Sequence, residues 1–288
     1  MVHLIGFFLV TSVIVVSVWL IPISNYFGNY LLWRVSSNAK AIGGDIENQG
    51  AHIRYVAYGL GEPVLLLHGG LSNKLSWFSQ IPWLVQSGRR VILIDTRGHG
   101  ESTSGDSAMS YQLFAQDTLM VLDRLGIQRT DIVGWSDGGI TGLLLALNAP
   151  QRVGKLVAIS ANFHPSGLIQ DVDNTQRDSL SQPSHKIIDW ARSWWSGAGE
   201  NHPALEAEIK ALWRTAPQLN HADLKAITAP TLVITGENDI IDLPHSSELA
   251  QMLANAKIEI VLGAGHAAPI THARQVNALI ASFLDIAN

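Results

Sequence analysis

Short unbroken apolar runs alternate with stretches of helical spacing through most of the chain. Pro63-Val64-Leu65-Leu66-Leu67, Arg90-Val91-Ile92-Leu93-Ile94, Thr130-Asp131-Ile132-Val133, Val153-Gly154-Lys155-Leu156-Val157-Ala158-Ile159, Pro230-Thr231-Leu232-Val233-Ile234 and Lys257-Ile258-Glu259-Ile260-Val261-Leu262 are the runs. Most are apolar on consecutive positions, as strands buried on both faces must be. Ile53-Arg54-Tyr55-Val56-Ala57-Tyr58 alternates instead, which suits a half-exposed strand. Helical spacing appears over residues 77–85, 111–125, 140–147, 246–253 and 273–284; in the second of these Leu113, Phe114, Leu119, Val121, Leu122 and Leu125 share a face. Strands alternating with helices predict an α/β fold, with a mostly parallel central sheet covered by helices on both faces.

Two regions break the alternation. Residues 161–228 are rich in tryptophan and carry Pro165, Pro183, Pro203 and Pro217. Ile187, Ile188, Ala191, Trp194 and Trp195 fall on one helical face there, and Leu205, Ile209, Leu212, Trp213 and Ala216 on another. A small helical cap over the end of the sheet is the expectation. The other region is the N-terminus, where residues 4–23 carry no charge. That length matches the hydrocarbon thickness of a bilayer, and Tyr26, Phe27, Tyr30 and Trp33 follow it as interface aromatics would. No cation precedes the run, as a cleaved signal peptide would require. The expected organisation is a membrane anchor and interface segment at 1–35, a glycine-marked linker at 36–52, and one large domain at 53–288. Arg34, Lys40 and Arg54 all lie C-terminal to the span, which puts the main domain on the cytoplasmic side; the alternative is a signal peptide and a secreted or periplasmic protein.

Composition narrows the function. The formal charge is -5 and there is no basic run, which argues against a nucleic-acid partner. The chain has no cysteine, which removes disulfides, thiolate metal sites and a cysteine nucleophile together. Oligomeric state is left open.

The chemistry centres on Gly134-Trp135-Ser136-Asp137-Gly138-Gly139, set between an apolar strand and a helix. A Gly-x-Ser-x-Gly in that context makes a nucleophile elbow, a turn sharp enough to lift the serine hydroxyl out of the sheet. A hydroxyl is a poor nucleophile at neutral pH and needs a base, which in turn needs an orienting acid. Of eleven histidines, His266 is the candidate base, because it lies in a loop after the last strand run. His68 and His99 also end strand runs, but in tight glycine turns where shaping the loop is the simpler role. Asp239, ending the run before last, is the candidate acid, with Glu237 and then Asp242 behind it. The order Ser136, Asp239, His266 is that of hydrolases built on this fold. Two backbone N–H groups should bind the developing oxyanion: that of Asp137 and one from His68-Gly69-Gly70-Leu71, with Gly70 first choice.

These motifs, with Asp95-Thr96-Arg97-Gly98-His99-Gly100-Glu101-Ser102, make the chain from about residue 53 to 284 resemble the α/β-hydrolase fold superfamily. The elbow Gly134-Trp135-Ser136-Asp137-Gly138-Gly139-Ile140-Thr141 is similar to that of the biphenyl-hydrolase-like, valacyclovirase-type serine esterases. The resemblance implies a serine hydrolase acting on a small-molecule ester or similar acyl compound, with no cofactor and no metal. It implies that Asp137 also helps recognise the α-amino group of an amino-acid ester. Trp135 and Trp194 are expected to join Asp137 in contacting substrate. C–C bond hydrolases and cofactor-free perhydrolases resemble the same fold with the same residue types; a non-catalytic ligand-binding relative is the alternative of a different class.

Overall fold

Leu66 sits between Leu93 and Val133 in a parallel ladder, and this centre explains the unbroken apolar runs. Val64 and Leu66 face one layer while Leu65 and Leu67 face the other, so every position of the strand meets core. The computed structural model describes residues 22–169 and 202–286.

The strands are β1 (Ala41–Asn48), β2 (Ala51–Tyr58), β3 (Pro63–Leu67), β4 (Arg90–Ile94), β5 (Thr130–Trp135), β6 (Val153–Ile159), β7 (Thr231–Asn238) and β8 (Ala256–Gly265). The helices are α1 (Pro22–Ser36), α2 (Ile81–Gln86), α3 (Tyr111–Arg124), α4 (Asp137–Asn148), α5 (His202–Thr215), α6 (His221–Ala226), α7 (Leu243–Met252), α8 (Ala268–Thr271) and α9 (Ala273–Phe283). The eight strands form one sheet in the order β1-β2-β4-β3-β5-β6-β7-β8. β1 and β2 pair antiparallel, as do β2 and β4; every other neighbour is parallel. Phe114 and Val121 of α3 and Leu143 of α4 cover one face, and Val276 and Ile280 of α9 cover the other. Parallel connection through helices brings the C-terminal ends of β3, β5, β6, β7 and β8 to one edge, where loops can hold a site.

The linker expected over 36–52 is corrected by β1. Asn48 pairs with Ala51 across a turn at Gln49 and Gly50, both with positive φ. Gly43 and Gly44, two glycines of that stretch, lie inside the strand. At Gly44 a β-carbon would lie 2.6 Å from the Tyr55 hydroxyl oxygen, so glycine makes room for that ring.

The membrane location is also overturned. Among the described residues no helix is long and apolar enough to cross a membrane. The apolar stretch 4–23 lies outside them, apart from its last two residues. The aromatics assigned to a lipid interface are instead packing residues of α1. Tyr30 and Trp33 are buried in the same core as Phe78, Val276 and Ile280, and the Trp33 ring meets Tyr58 edge-on at 5.4 Å. Arg34, counted as a flanking cation, lies over the Tyr58 ring at 5.4 Å.

Of the expected cap, α5 and α6 are seen, with Ile209 and Leu212 buried as the helical face requires. Asn220 and Asp223 form a reciprocal capping box that starts α6. The other expected cap face, including Trp194, lies outside the described residues.

Candidate active site

Ser136 stands at the junction of β5 and α4 with φ 54° and ψ −120°. A non-glycine residue with positive φ is strained and persists only where its surroundings hold it. Here its N–H donates to the Ile159 carbonyl at 2.8 Å, and its carbonyl accepts from Gly139 and Ile140 at 2.8 and 3.0 Å. A β-carbon at Gly134 would strike the backbone of Gly138, and one at Gly138 would strike the carbonyl of Leu67. Both turn positions therefore need glycine.

The loops after β7 and β8 bring two more side chains to this point. His266 Nε2 lies 3.0 Å from Ser136 Oγ, and its Nδ1 lies 2.7 Å from Asp239 Oδ1. An ionised carboxylate only accepts, so Nδ1 carries the hydrogen and Nε2 is left to accept from the serine hydroxyl. Burial alone would push the Asp239 carboxyl up. The hydrogen bond and charge of His266, with further bonds from Ser160 and the Ile241 N–H, outweigh it and hold Asp239 below the ordinary carboxylate range. The two runner-up acids are elsewhere: Glu237 accepts the Gly263 N–H at 2.8 Å, and Asp242 precedes α7.

Trp135 was expected to touch substrate. Its indole N–H donates to the His266 carbonyl oxygen at 2.8 Å.

The turn after β3 lies against the elbow, so that a β-carbon at Gly69 would come within 3.1 Å of Ser136 Cβ. Leu71 in this turn also has positive φ, and its N–H donates to His99 Nε2 at 3.0 Å. His68 Nε2 accepts from the Thr96 N–H at 3.0 Å. Each ring places Nδ1 against a carbonyl, His68 on Gly69 at 2.8 Å and His99 on Arg97 at 2.9 Å. Both rings are thus neutral with the hydrogen on Nδ1. Burial pushes both down, His99 to about 4. The Leu71 amide is already bonded, whereas those of Gly70 and Asp137 bond to no described residue.

Asp137 itself is buried. Its Oδ1 accepts from the Tyr111 hydroxyl and from Trp213 Nε1, each at 2.9 Å, and Trp213 also reaches Oδ2 at 3.0 Å. Burial raises its carboxyl to about 6 against the pull of these two bonds and of His266. Oδ2 lies so close to Gly70 that a β-carbon there would collide with it. Among the described residues no group of three or more His, Asp or Glu side chains is placed to hold a metal ion.

A nucleophile, a base and a buried acid in hydrogen-bonded series can pass a proton from a hydroxyl and stabilise the resulting imidazolium. A profile of the alpha/beta hydrolase fold matches residues 62–197. A non-heme haloperoxidase of Rhodococcus erythropolis is 30% identical over 270 residues, covering 83% of this chain and 97% of that protein. The chain belongs to the α/β-hydrolase fold family. It is also similar to the 2-hydroxymuconate semialdehyde hydrolase of Pseudomonas sp., at 28% identity over 271 residues, 86% of this chain and 95% of that protein. Among solved structures, a meta-cleavage product hydrolase from Pseudomonas fluorescens IP01 shares the fold at 23% identity. Its TM-score is 0.72, and the match covers 86% of this chain and 99% of that one.

Ser136, Asp239 and His266 were legible because each follows a strand at one edge of the sheet. Tyr111, Trp213 and Ser160 were not singled out. Tyr111 and Trp213 reach Asp137 from helices with no local motif. Ser160 did carry a signal, since it ends a parallel strand just as Ser136 does.

Proposed function

We propose that the protein is a serine hydrolase that cleaves a carboxylic ester or related acyl compound. Ser136 Oγ attacks the carbonyl carbon as His266 Nε2 takes its proton, and the Asp239 carboxylate orients and stabilises the imidazolium. The amides of Gly70 and Asp137 donate to the oxyanion. His266 then returns the proton to the leaving alcohol, and water, deprotonated by the same imidazole, releases the acid from Ser136. The observation that carries this reading is the continuous series from Ser136 Oγ to His266 at 3.0 Å and from His266 to Asp239 at 2.7 Å.

The acyl group we propose carries a cation. Asp137 is a buried carboxylate whose side-chain partners, Tyr111 and Trp213, are both neutral donors. A buried carboxylate whose direct hydrogen-bond partners are all neutral favours a ligand that brings the opposite charge. The test compares p-nitrophenyl acetate with an aminoacyl p-nitrophenyl ester, together with labelling by a fluorophosphonate probe. Hydrolysis and labelling should both vanish in Ser136→Ala, and Asp137→Asn should raise KM for the aminoacyl ester by at least about tenfold. Full hydrolysis by Ser136→Ala would refute the mechanism; an unchanged KM ratio would refute the cationic substrate alone.

The names of the relatives support a second reading. Haloperoxidase and semialdehyde hydrolase are names for other reactions than ester cleavage. The same Ser136–His266–Asp239 series would then serve C–C bond hydrolysis or perhydrolysis. Turnover of a vinylogous diketone, or of acetate with peroxide, faster than that of any ester would favour it.

A further inference from the structure

Two successive parallel strands, β5 and β6, each end in a serine with left-handed backbone: Ser136 at φ 54° and Ser160 at φ 52°. One presents its hydroxyl to His266. The other turns its hydroxyl onto Asp239 Oδ2 at 2.5 Å, inside the protein, with 1% of the residue exposed.

The Asp239 carboxylate has two oxygens with different duties. Oδ1 faces His266 Nδ1 at 2.7 Å and also accepts the Ile241 N–H at 3.1 Å. Oδ2 accepts from Ser160 at 2.5 Å, and beyond that only from the Gly236 N–H at 3.3 Å and the Thr235 hydroxyl at 3.5 Å. Those last two are at the long end of the hydrogen-bond range, so the Ser160 bond is the strong one on that side. Ser160 is itself anchored to the strand that carries the acid, its N–H donating to the Ile234 carbonyl of β7 at 2.8 Å. Glycine would adopt φ 52° without strain. Serine there costs conformational energy, and what it supplies in return is one hydroxyl aimed at a carboxylate.

We propose that Ser160 is a positioning residue for the acid: its hydroxyl fixes the rotamer of Asp239 so that Oδ1 stays aligned with His266. This rests on the reading of Ser136, His266 and Asp239 given above. Ser160 touches neither substrate nor the reacting atoms and acts through Asp239. Losing the bond frees the carboxylate to turn, so that Oδ1 no longer faces Nδ1 squarely and the imidazolium is held less well. Asp137, at the start of α4, also feels the charge of His266, and the substitutions below leave it unchanged.

The experiment uses the full chain with Ser160→Ala and Ser160→Gly. Ser160→Ala removes the hydroxyl and keeps the strain; Ser160→Gly removes both, so at least one variant should fold even if the strained backbone relaxes. Hydrolysis of p-nitrophenyl acetate and the rate at which Ser136 is labelled by a fluorophosphonate probe are followed from pH 4 to 9, with thermal unfolding beside them. Both variants should lose about tenfold to a hundredfold in kcat and in labelling rate, with KM within about twofold. The acid limb of both pH profiles should move to lower pH, because a misaligned carboxylate supports the imidazolium less. A folded variant whose rates stay within about twofold and whose acid limb does not move would overturn the proposal, as would a fall in unfolding temperature with an unmoved limb. Ser136→Ala separates the underlying reading: if it stays active, the triad and this inference fall together; if it is inactive while Ser160→Ala is normal, only Ser160 loses its role.

Discussion

The indole N–H of Trp135 donates to the carbonyl oxygen of His266 at 2.8 Å, so the residue before the proposed nucleophile holds the backbone of the proposed base. The two rings lie 6.0 Å apart, and the indole also backs the turn at Gly69. The elbow, the His266 loop and the turn at Gly69 thus share one side chain. Trp135→Phe keeps a ring in place but leaves the carbonyl unbonded. An unmet hydrogen bond of this kind is worth about 1–3 kcal/mol, and small displacements of a reacting group are expensive in rate. We expect kcat to fall by about threefold to thirtyfold with KM within about twofold. A rise in KM alone, with kcat intact, would return Trp135 to the substrate-contact role read from the sequence.

Asp137 makes stability depend on pH with an unusual sign. Its carboxyl is raised from the ordinary 3.8 to about 6 by burial. Below the lower value it is protonated whether the chain is folded or not, and it imposes no penalty. Above about 6 it is ionised in both states, and the folded protein carries the full cost of the buried charge. The difference of about 2 pH units corresponds to about 3 kcal/mol, so this residue's contribution to stability declines as pH rises from about 4 to 6. Asp239 has the opposite slope, its lowered pKa stabilising the fold above the ordinary carboxylate range. Comparing Asp137→Asn with the unsubstituted protein isolates Asp137. Urea midpoints should show the variant more stable by up to about 3 kcal/mol at pH 8 and nearly equal at pH 4. An equal gap at both would refute the assignment.

What the sequence disclosed follows from how far each feature depends on distant residues. The central strands were readable because burial on both faces makes every position apolar. Ser136, Asp239 and His266 were readable because each follows such a strand. β1 carries no such signal, because a mostly exposed edge strand with Gly43 and Gly44 has no apolar alternation to show. Tyr30 and Trp33 are ambiguous in sequence because aromatic residues on a helix look the same whether they meet lipid or a protein core. The partners of Asp137 stand 26 and 76 positions away, and Ser160 is 79 from Asp239. No local pattern could have joined them.

The two glycines of β1 separate strand from linker in a single comparison. At Gly44 a β-carbon would fall 2.6 Å from the Tyr55 hydroxyl oxygen and 2.9 Å from the ring, whereas at Gly43 the nearest atom is a backbone oxygen at 3.6 Å. Tyr55 is buried and cannot swing away freely. Gly44→Ala should destabilise by about 1–3 kcal/mol, the usual cost of overpacking. Gly43→Ala should be neutral or stabilise by up to about 1 kcal/mol, because it narrows the unfolded ensemble. Equal, small effects in chemical denaturation would mean that the hairpin does not form as seen.

Arg97 is the side chain whose removal should harm the fold most. It is wholly buried, and its guanidinium grips Asp117 through Nε at 2.9 Å and Nη2 at 2.7 Å. The same group donates to the carbonyls of Asn48 and Ser104 at 3.0 and 3.2 Å, while the Asn48 amide donates to Asp117 at 2.7 Å. The β1–β2 turn, helix α3 and the loop after β4 are thereby tied at one point. That loop also carries His99, which accepts the Leu71 N–H in the turn after β3. Removing either charge leaves the other buried and unmatched, which costs about 3–5 kcal/mol. Arg97→Ala and Asp117→Ala should each show that loss. The double variant should be less damaged than the sum of the two, because the second substitution removes a charge already stranded. Strict additivity in urea unfolding would mean that the pair is not coupled. Arg97→Lys should not rescue, since a single ammonium cannot match the two-pronged grip on Asp117 and still reach both carbonyls.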